Sequence, residues 1–229
     1  MAGLVEVATA VMRTAERRLD VVAHNVANIS TPGFKRRMSI ATSGANVVSV
    51  ETRNDFAQGK LQATGNPHDL AIDGAGFFKL REGDAIVYSR QGQFRRDVDG
   101  TWVTPQGYVL QQAGGGDLIV DSADAVVQPD GMVVGGGHPL ARVAVARTGN
   151  DAMLSSVGES AFSAAPAAME DVADPRLRQG MVETSNVSLG DEMTQSMLAL
   201  RQAESGAKLI QLYDDLMGRA VSAFGAQGK

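Results

Sequence analysis

Three histidines, His24, His68 and His138, are of the residue type most often used for proton transfer and metal binding. They are scattered, and no two stand four residues apart on one helix, so they read as unrelated polar positions rather than a metal site. Cysteine is absent, which excludes disulfides, thiolate metal sites and a cysteine nucleophile. A dinucleotide fingerprint follows a strand and opens a helix. Gly74-Ala75-Gly76 instead precedes the strand-like run Phe77-Phe78-Lys79-Leu80, and reads as a tight turn. Asp69 with Asp73 and Asp214 with Asp215 are the candidate carboxylate pairs, but nothing places a second functional group beside either, and Ser30-Thr31 has no base in view. The expectation is therefore no catalytic, cofactor-binding or metal-binding residue, no cofactor, and a protein that is not an enzyme.

What the chain offers instead is periodicity. Leu4, Ala8, Val11, Ala15, Leu19, Val22, Val26 and Ile29 recur with a mean spacing of 25/7, about 3.6 residues, which is a helical stripe. Glu6, Arg13, Glu16, Arg17 and Asp20 fall mostly off it. The stripe stops at Ser30-Thr31-Pro32-Gly33, where proline disfavours the helical region for Thr31 and glycine permits a sharp turn. At the other end Met193, Met197, Leu200, Ala203, Ala207, Ile210, Tyr213, Met217, Ala220 and Phe224 recur with a mean spacing of 31/9, about 3.4, close to a heptad seam. Ser188-Leu189-Gly190-Asp191 resembles a capping box, and Asp191 and Glu192 suit the dipole of a helix beginning there.

The middle reads differently. Six of the eleven aromatic residues lie between Phe77 and Tyr108, in short apolar runs punctuated by Gly83-Asp84, Asp99-Gly100 and Pro105-Gln106-Gly107. The same rhythm continues through Gly114-Gly115-Gly116, Asp130-Gly131 and Gly135-Gly136-Gly137, which argues for hairpins in an antiparallel sheet rather than βαβ units. The fold class expected is α+β: a mainly antiparallel β central domain, with N- and C-terminal α-helices pairing in a coiled-coil-like inner core. The boundaries expected are 1–35 for the N-terminal helix, 36–57 for a linker, 58–178 for the β-rich domain, with a linker-like stretch near 163–178, and 179–229 for the C-terminal segment and helix.

An isolated N-terminal helix of this composition is marginal, so it is expected to gain order from a partner. That partner is the other end of the chain or a neighbouring copy, the plainer alternative being its own β domain. Residues 1–37 carry six basic and three acidic groups, and residues 181–229 four basic and six acidic, so opposite signs favour pairing of the ends. The formal net charge is −5, and the only basic cluster, Lys35-Arg36-Arg37, is too short to track a phosphate backbone, so no nucleic-acid partner is expected. No run approaches 18 apolar residues, so no direct membrane insertion is expected, and the charges within the first twenty residues leave no apolar core for a secretory signal.

Three blocks carry a resemblance. Asn25-Val26-Ala27-Asn28-Ile29-Ser30-Thr31-Pro32-Gly33-Phe34-Lys35 resembles the N-terminal signature of flagellar basal-body rod and hook proteins. Asn66-Pro67-His68-Asp69-Leu70-Ala71-Ile72-Asp73-Gly74-Ala75-Gly76-Phe77-Phe78, continuing to Tyr88-Ser89-Arg90-Gln91-Gly92-Gln93-Phe94, resembles the start of that family's β domain. Gly180-Met181-Val182-Glu183-Thr184-Ser185-Asn186-Val187 with Glu192-Met193 resembles its C-terminal signature. None of the three blocks falls between Leu118 and Asp174, whose role the resemblance leaves open. The resemblance implies a structural subunit of the bacterial flagellar rod, located in the periplasmic part of the basal body. Such a subunit polymerises helically, transmits torque and lines the export channel.

Its implied partners are copies of itself, other proximal- and distal-rod subunits, and the flagellar type III export apparatus. The stretch of about thirty residues from Arg37 to Asn66 resembles the proximal-rod type; a distal-rod subunit, or a secreted non-enzymatic binding module, is the alternative. The residues implied at subunit interfaces are Leu4, Val11, Leu19, Val22, Asn25, Val26, Asn28, Pro32, Gly33 and Phe34 at one end. At the other they are Asn186, Val187, Met193, Met197, Leu200, Ile210, Tyr213 and Met217. A chain lacking residues 1–37 is expected to keep its β domain and fail to assemble.

Overall fold

The computed structural model describes residues 2–43, 48–122 and 124–226. The chain forms two compact units: Met1–Ala27, Arg37–Asn54 and Ser188–Lys229 make one, and Asn28–Arg36 with Asp55–Val187 make the other.

The first unit holds helix α1 (Ala2–Ala27), strands β1 (Arg37–Ser43) and β2 (Val48–Asn54), and helix α2 (Leu189–Ala226). Both helices form where the apolar periodicity places them, α2 with Asp191 and Glu192 in its first turn. The two helices run antiparallel. Met12 lies against Gly206, Arg18 donates from Nη1 to Oε1 of Gln202 at 2.9 Å, and the start of α1 meets Tyr213 to Val221. The segment 36–57, expected as a linker, is a hairpin in which Arg37 pairs with Asn54 and Ser43 with Val48. A free two-stranded ribbon is marginal in water. This one is anchored on α1 by Asn25, whose side chain donates to the Arg37 carbonyl and accepts from the Arg37 N–H, both at 2.8 Å.

The second unit is mainly β, with two short 3-10 helices at Asp151–Met153 and Pro166–Ala168. In chain order come β3 (Leu61–Ala63), β4 (Leu70–Ile72), β5 (Phe77–Glu82), β6 (Ala85–Ser89), β7 (Arg95–Arg96), β8 (Trp102–Val103) and β9 (Val109–Leu110). Then follow β10 (Val126–Val127), β11 (Met132–Gly135), β12 (His138–Arg142), β13 (Val145–Thr148), β14 (Ser155–Ser156) and β15 (Ala161–Ser163). The last are β16 (Met169–Asp171), β17 (Leu177–Gln179) and β18 (Met181–Glu183). The main sheet runs β14-β15-β6-β5-β9-β8-β7, with β13 joining β5 to β16. A three-stranded sheet β10-β11-β12 and the pairs β17-β4 and β18-β3 complete the unit. The strand pairings are antiparallel, as the turn pairs require.

Alternation along β5 creates two cores. Phe78 and Leu80 point to one face, into a cluster with Leu70, Trp102, Leu110, Leu118, Val133 and Leu177. Phe77 points to the other, against Tyr88, Leu154 and Phe162, with Phe56 packed edge-on at 5.5 Å from Phe77 and 5.0 Å from Phe162. The motif-free stretch after Leu118 is thus ordinary sheet: it supplies Leu118, Val133 and Val143 to the first core and Leu154 and Phe162 to the second.

The limits of the units lie elsewhere than the expected boundaries at two consequential points. Residues 28–36 group with the β unit and not with the helix they follow, and the β unit continues to Val187 rather than ending at 178.

Candidate assembly site

Within the β unit, the three signature blocks converge on one buried carboxylate. Glu183, at the end of β18, accepts from Lys35 Nζ at 2.7 Å and from the Gly59 N–H at 2.9 Å through Oε1, and from Arg90 Nη1 at 3.1 Å through Oε2. All three ionic side chains are at most 4% exposed. Lys35 Nζ also donates to the Ala57 carbonyl at 2.7 Å, and Arg90 Nη2 to that of Gly74 at 2.6 Å, with the guanidinium carbon 5.4 Å from the Phe77 ring centre. Burial pushes the Lys35 ammonium below its usual range; Glu183 pulls it back up, and the Arg90 charge pushes it further down. Burial likewise lowers Arg90, against the pull of Glu183.

The backbone of the first block reaches this cluster through a turn that only glycine fits. Gly33 has φ +70°, its N–H donates to the Glu183 carbonyl at 2.8 Å, and a Cβ there would stand 2.2 Å from the Gln91 nitrogen. Asn186 ties the neighbouring strands. Its Oδ1 accepts from the Arg36 N–H at 2.7 Å, and its Nδ2 donates to the carbonyls of Asp55 at 2.8 Å and Ala57 at 3.0 Å. Asn28 accepts from the Thr31 hydroxyl at 3.1 Å, within the turn that follows α1.

In the helical unit the contact surface is small and close. Ala8 and Ala15 are fully buried on α1, as is Ala199 on α2. Gly206 lies so near α1 that a Cβ would stand 2.7 Å from Met12 Cγ and 3.3 Å from the Ala8 carbonyl oxygen. Ala199, Gln202 and Gly206 are spaced three and four apart and share one face of α2. The stripe expected at the seam is not that face in the first half of α2. Met193, Met197 and Leu200 are more than half exposed, and Leu189 is exposed by half. The physical reason is distance: the helices approach through small residues, and methionine and leucine are too bulky to lie between them there. Farther along, Tyr213, Leu216, Met217, Ala220 and Val221 line an apolar groove of about 530 Å³ with Gly3 and Leu4.

The other residues expected at interfaces divide into three groups. Asn25, Asn28, Gly33 and Phe34 are buried within their own chain. Val11, Leu19, Val22, Pro32, Asn186, Val187, Ile210 and Tyr213 are half-buried. Leu4, Val26 and Met217 are exposed together with the Met193 stripe. Phe224 lies outside the residues whose side chains are described.

Sequence reasoning did not single out Glu183, Arg90 or Gly206. A signal for the first two existed: each of the three blocks contains one of the ionisable members, Lys35, Arg90 and Glu183. Of the carboxylates considered for catalysis, two are engaged structurally, Asp69 with Asn66 Nδ2 at 3.0 Å and Asp73 with Arg178 at 2.9 Å. His68 rests on Trp102, ring centres 5.1 Å apart. Among the described residues no three His, Asp or Glu side chains gather where they would hold a metal ion, and no helix is long and apolar enough to cross a membrane.

The blocks that meet at Glu183 are also where known proteins align. The flagella basal body rod protein profile matches residues 6–35, the FlgE/F/G hook protein D1 domain profile 71–158, and the FlgEFG basal body rod C-terminal profile 178–223. A flagellar basal-body rod protein FlgF of Caulobacter vibrioides is 31% identical over 93% of this chain and 94% of its own length. The chain belongs to the flagellar basal-body rod protein family. Flagellar basal-body rod proteins FlgG of Agrobacterium fabrum and Bacillus subtilis are 31% and 28% identical, over 90% and 92% of this chain and 93% and 95% of their own. As a member of this family the chain is a structural subunit of the basal-body rod. The FlgE/F/G D1 profile lies wholly inside the β unit, whereas the N- and C-terminal profiles each span parts of both units.

Proposed function

We propose that this chain is a proximal-rod subunit of the FlgF type that polymerises head to tail through its two terminal helices. The observation that carries the reading is apolar surface left uncovered on both helices: Leu4 and Val7 on α1, and Leu189, Met193, Met197, Leu200, Leu212, Leu216 and Val221 on α2. A helix pair with a single covered face would bury such residues or replace them with charge. Two different faces used head to tail generate an open helical polymer. Methionine at 193 and 197 suits contacts repeated in slightly different surroundings. The polymer would transmit torque and line a channel for exported subunits, and the subunit itself would leave the cytoplasm through the flagellar type III apparatus.

The proximal assignment rests on the short Arg37–Asn66 connection and on the FlgF relative, which aligns over 229 residues. The FlgG relatives favour the second reading, a distal-rod subunit of the same family.

The test uses Met193→Glu and Leu200→Glu in the full chain. Both positions are exposed, so thermal stability is expected to change by no more than about 0.5 kcal/mol, while incorporation into the rod and motility are lost. Normal motility with both substitutions sinks the assembly surface. Imaging of isolated basal bodies carrying the tagged wild-type chain decides the axial position: density at the distal end overturns the proximal assignment.

A further inference from the structure

Two buried cations share one carboxylate in the β unit, and the sharing is not symmetrical. The segment that carries Glu183 has its own set of partners besides residues 28–36. β18 pairs with β3, Met181 opposite Ala63 and Glu183 opposite Leu61. The Thr184 N–H donates to the Lys60 carbonyl and the Gly180 N–H to that of Asp69, both at 2.8 Å. With Lys35 taken away, Glu183 would still keep Arg90 at 3.1 Å and the Gly59 N–H at 2.9 Å, a balanced buried pair.

The converse does not hold. The inserted segment is fastened chiefly to what the C-terminal block supplies: the Gly33 N–H to the Glu183 carbonyl, the Arg36 N–H to the Asn186 side chain, and the Lys35 ammonium to the Glu183 carboxylate; outside that block the Arg36 carbonyl accepts from the Asp55 N–H at 2.8 Å. Without that carboxylate, Lys35 would enter a site already holding the like charge of Arg90, with the Ala57 carbonyl as its other acceptor. An uncompensated charge in such surroundings is strongly disfavoured.

We infer that Glu183 is a one-way latch: the segment 28–36 docks on the β unit only after the C-terminal block 180–187 is in place, whereas the C-terminal block docks without it. The lowering of Lys35 by burial agrees with a cation tolerated there only beside its partner. The latch makes ordering of the segment after α1 conditional on a C-terminal block near the far end of the chain. A chain whose last block is missing or undocked therefore keeps residues 28–36 loose. The inference concerns the single chain and stands apart from the polymer reading, so the two fail separately.

The experiment is residue-resolved amide hydrogen exchange on the purified full chain, wild type against Lys35→Met, Glu183→Gln and the double variant. Gly33 and Arg36 report docking of the first segment, Gly180 and Thr184 docking of the last, and Lys79, whose N–H donates to the Ala144 carbonyl at 3.2 Å, reports the sheet. In Lys35→Met, Gly180 and Thr184 are expected to stay within about threefold of wild type, because a balanced pair remains. In Glu183→Gln, Gly33 and Arg36 are expected to exchange at least about a hundredfold faster, because two buried cations lose their counter-charge.

In the double variant Arg90 stays uncompensated but the second like charge is gone, so Gly33 is expected to exchange at least about tenfold more slowly than in Glu183→Gln. Should Glu183→Gln loosen the whole unit, Lys79 included, the double variant decides. Recovery of Lys79 and Gly33 together supports cation repulsion as the cause, and no recovery overturns the latch. Unchanged protection of Gly33 and Arg36 in Glu183→Gln overturns it, as does equal loosening of both segments in Lys35→Met.

Discussion

Lys35 follows a helix by only a few residues, yet its ammonium ends inside a sheet unit beside Glu183 at 2.7 Å. Burial is the largest influence on it and lowers its pKa from the ordinary 10.5. The direction fixes a pH dependence. Near neutrality Lys35 is charged in both folded and unfolded chains, and the folded state carries the cost of its burial. As pH rises, the folded chain releases the proton first, so that cost is relieved up to 10.5, where the unfolded chain titrates as well. The stability of wild type minus that of Lys35→Met is thus expected to increase as pH rises toward 10.5. Denaturant unfolding at a series of pH values measures it, and parallel curves for the two proteins contradict it. Tyr88 and Tyr108, both raised above 10.0 chiefly by burial, act in the opposite sense at the top of this range, but equally in both proteins. The sequence showed the turn at Gly33 because proline and glycine announce one locally. It did not show the burial of Lys35, since the acid that admits the lysine lies 148 positions away and nothing in a polar stretch marks one charge as internal.

At the scale of elements, periodicity carried most of the information. Both helices were legible from their apolar spacing, and the hairpins β5-β6, β7-β8, β10-β11 and β11-β12 from Gly83-Asp84, Asp99-Gly100, Asp130-Gly131 and the glycines at 135–137. The hairpin β1-β2 was not legible, because Arg37–Ser43 and Val48–Asn54 mix Ser, Thr and charged residues without a clear apolar alternation. The face of α2 turned to α1 was not legible for a related reason. Hydrophobicity marks large apolar residues, whereas the close approach uses Ala199 and Gly206, which such a reading passes over. This yields a prediction at the same scale. Gly206→Ala gains about 1 kcal/mol of helix propensity, and its Cβ meets Met12 Cγ at 2.7 Å, a side chain exposed enough to shift. Gly206→Leu has no such outlet past the Ala8 backbone and is expected to destabilise the helix pair by about 1–3 kcal/mol. Amide exchange of Ala8 to Ala15 reads the outcome. Protection in Gly206→Leu equal to wild type would show that the helices do not depend on this approach.

At the scale of the whole molecule, the chain crosses between its two units next to residues 27, 36, 54 and 187, and where it crosses determines what a truncation removes. A cut after residue 37 looks natural from the sequence, since the helix stripe and the following turn seem to form one block. It takes away Gly33, the buried Phe34 and Lys35, all of which belong to the β unit. Glu183 loses one of its two cations, and the Arg36 N–H no longer meets Asn186. A cut after residue 27 removes only α1 and leaves these groups in place. Deletion of 1–27 is therefore expected to change the unfolding midpoint of the β unit by no more than a few degrees. Deletion of 1–37 removes a buried aromatic ring, worth about 3–5 kcal/mol on truncation, and lowers the midpoint by roughly 10 °C or more. Neither truncated chain is expected to enter the rod, because both lack α1 and with it the antiparallel partner of α2. Calorimetry on the two proteins separates the boundary from the assembly surface: equal midpoints place residues 28–36 outside the β unit's cooperative core, whatever happens to motility.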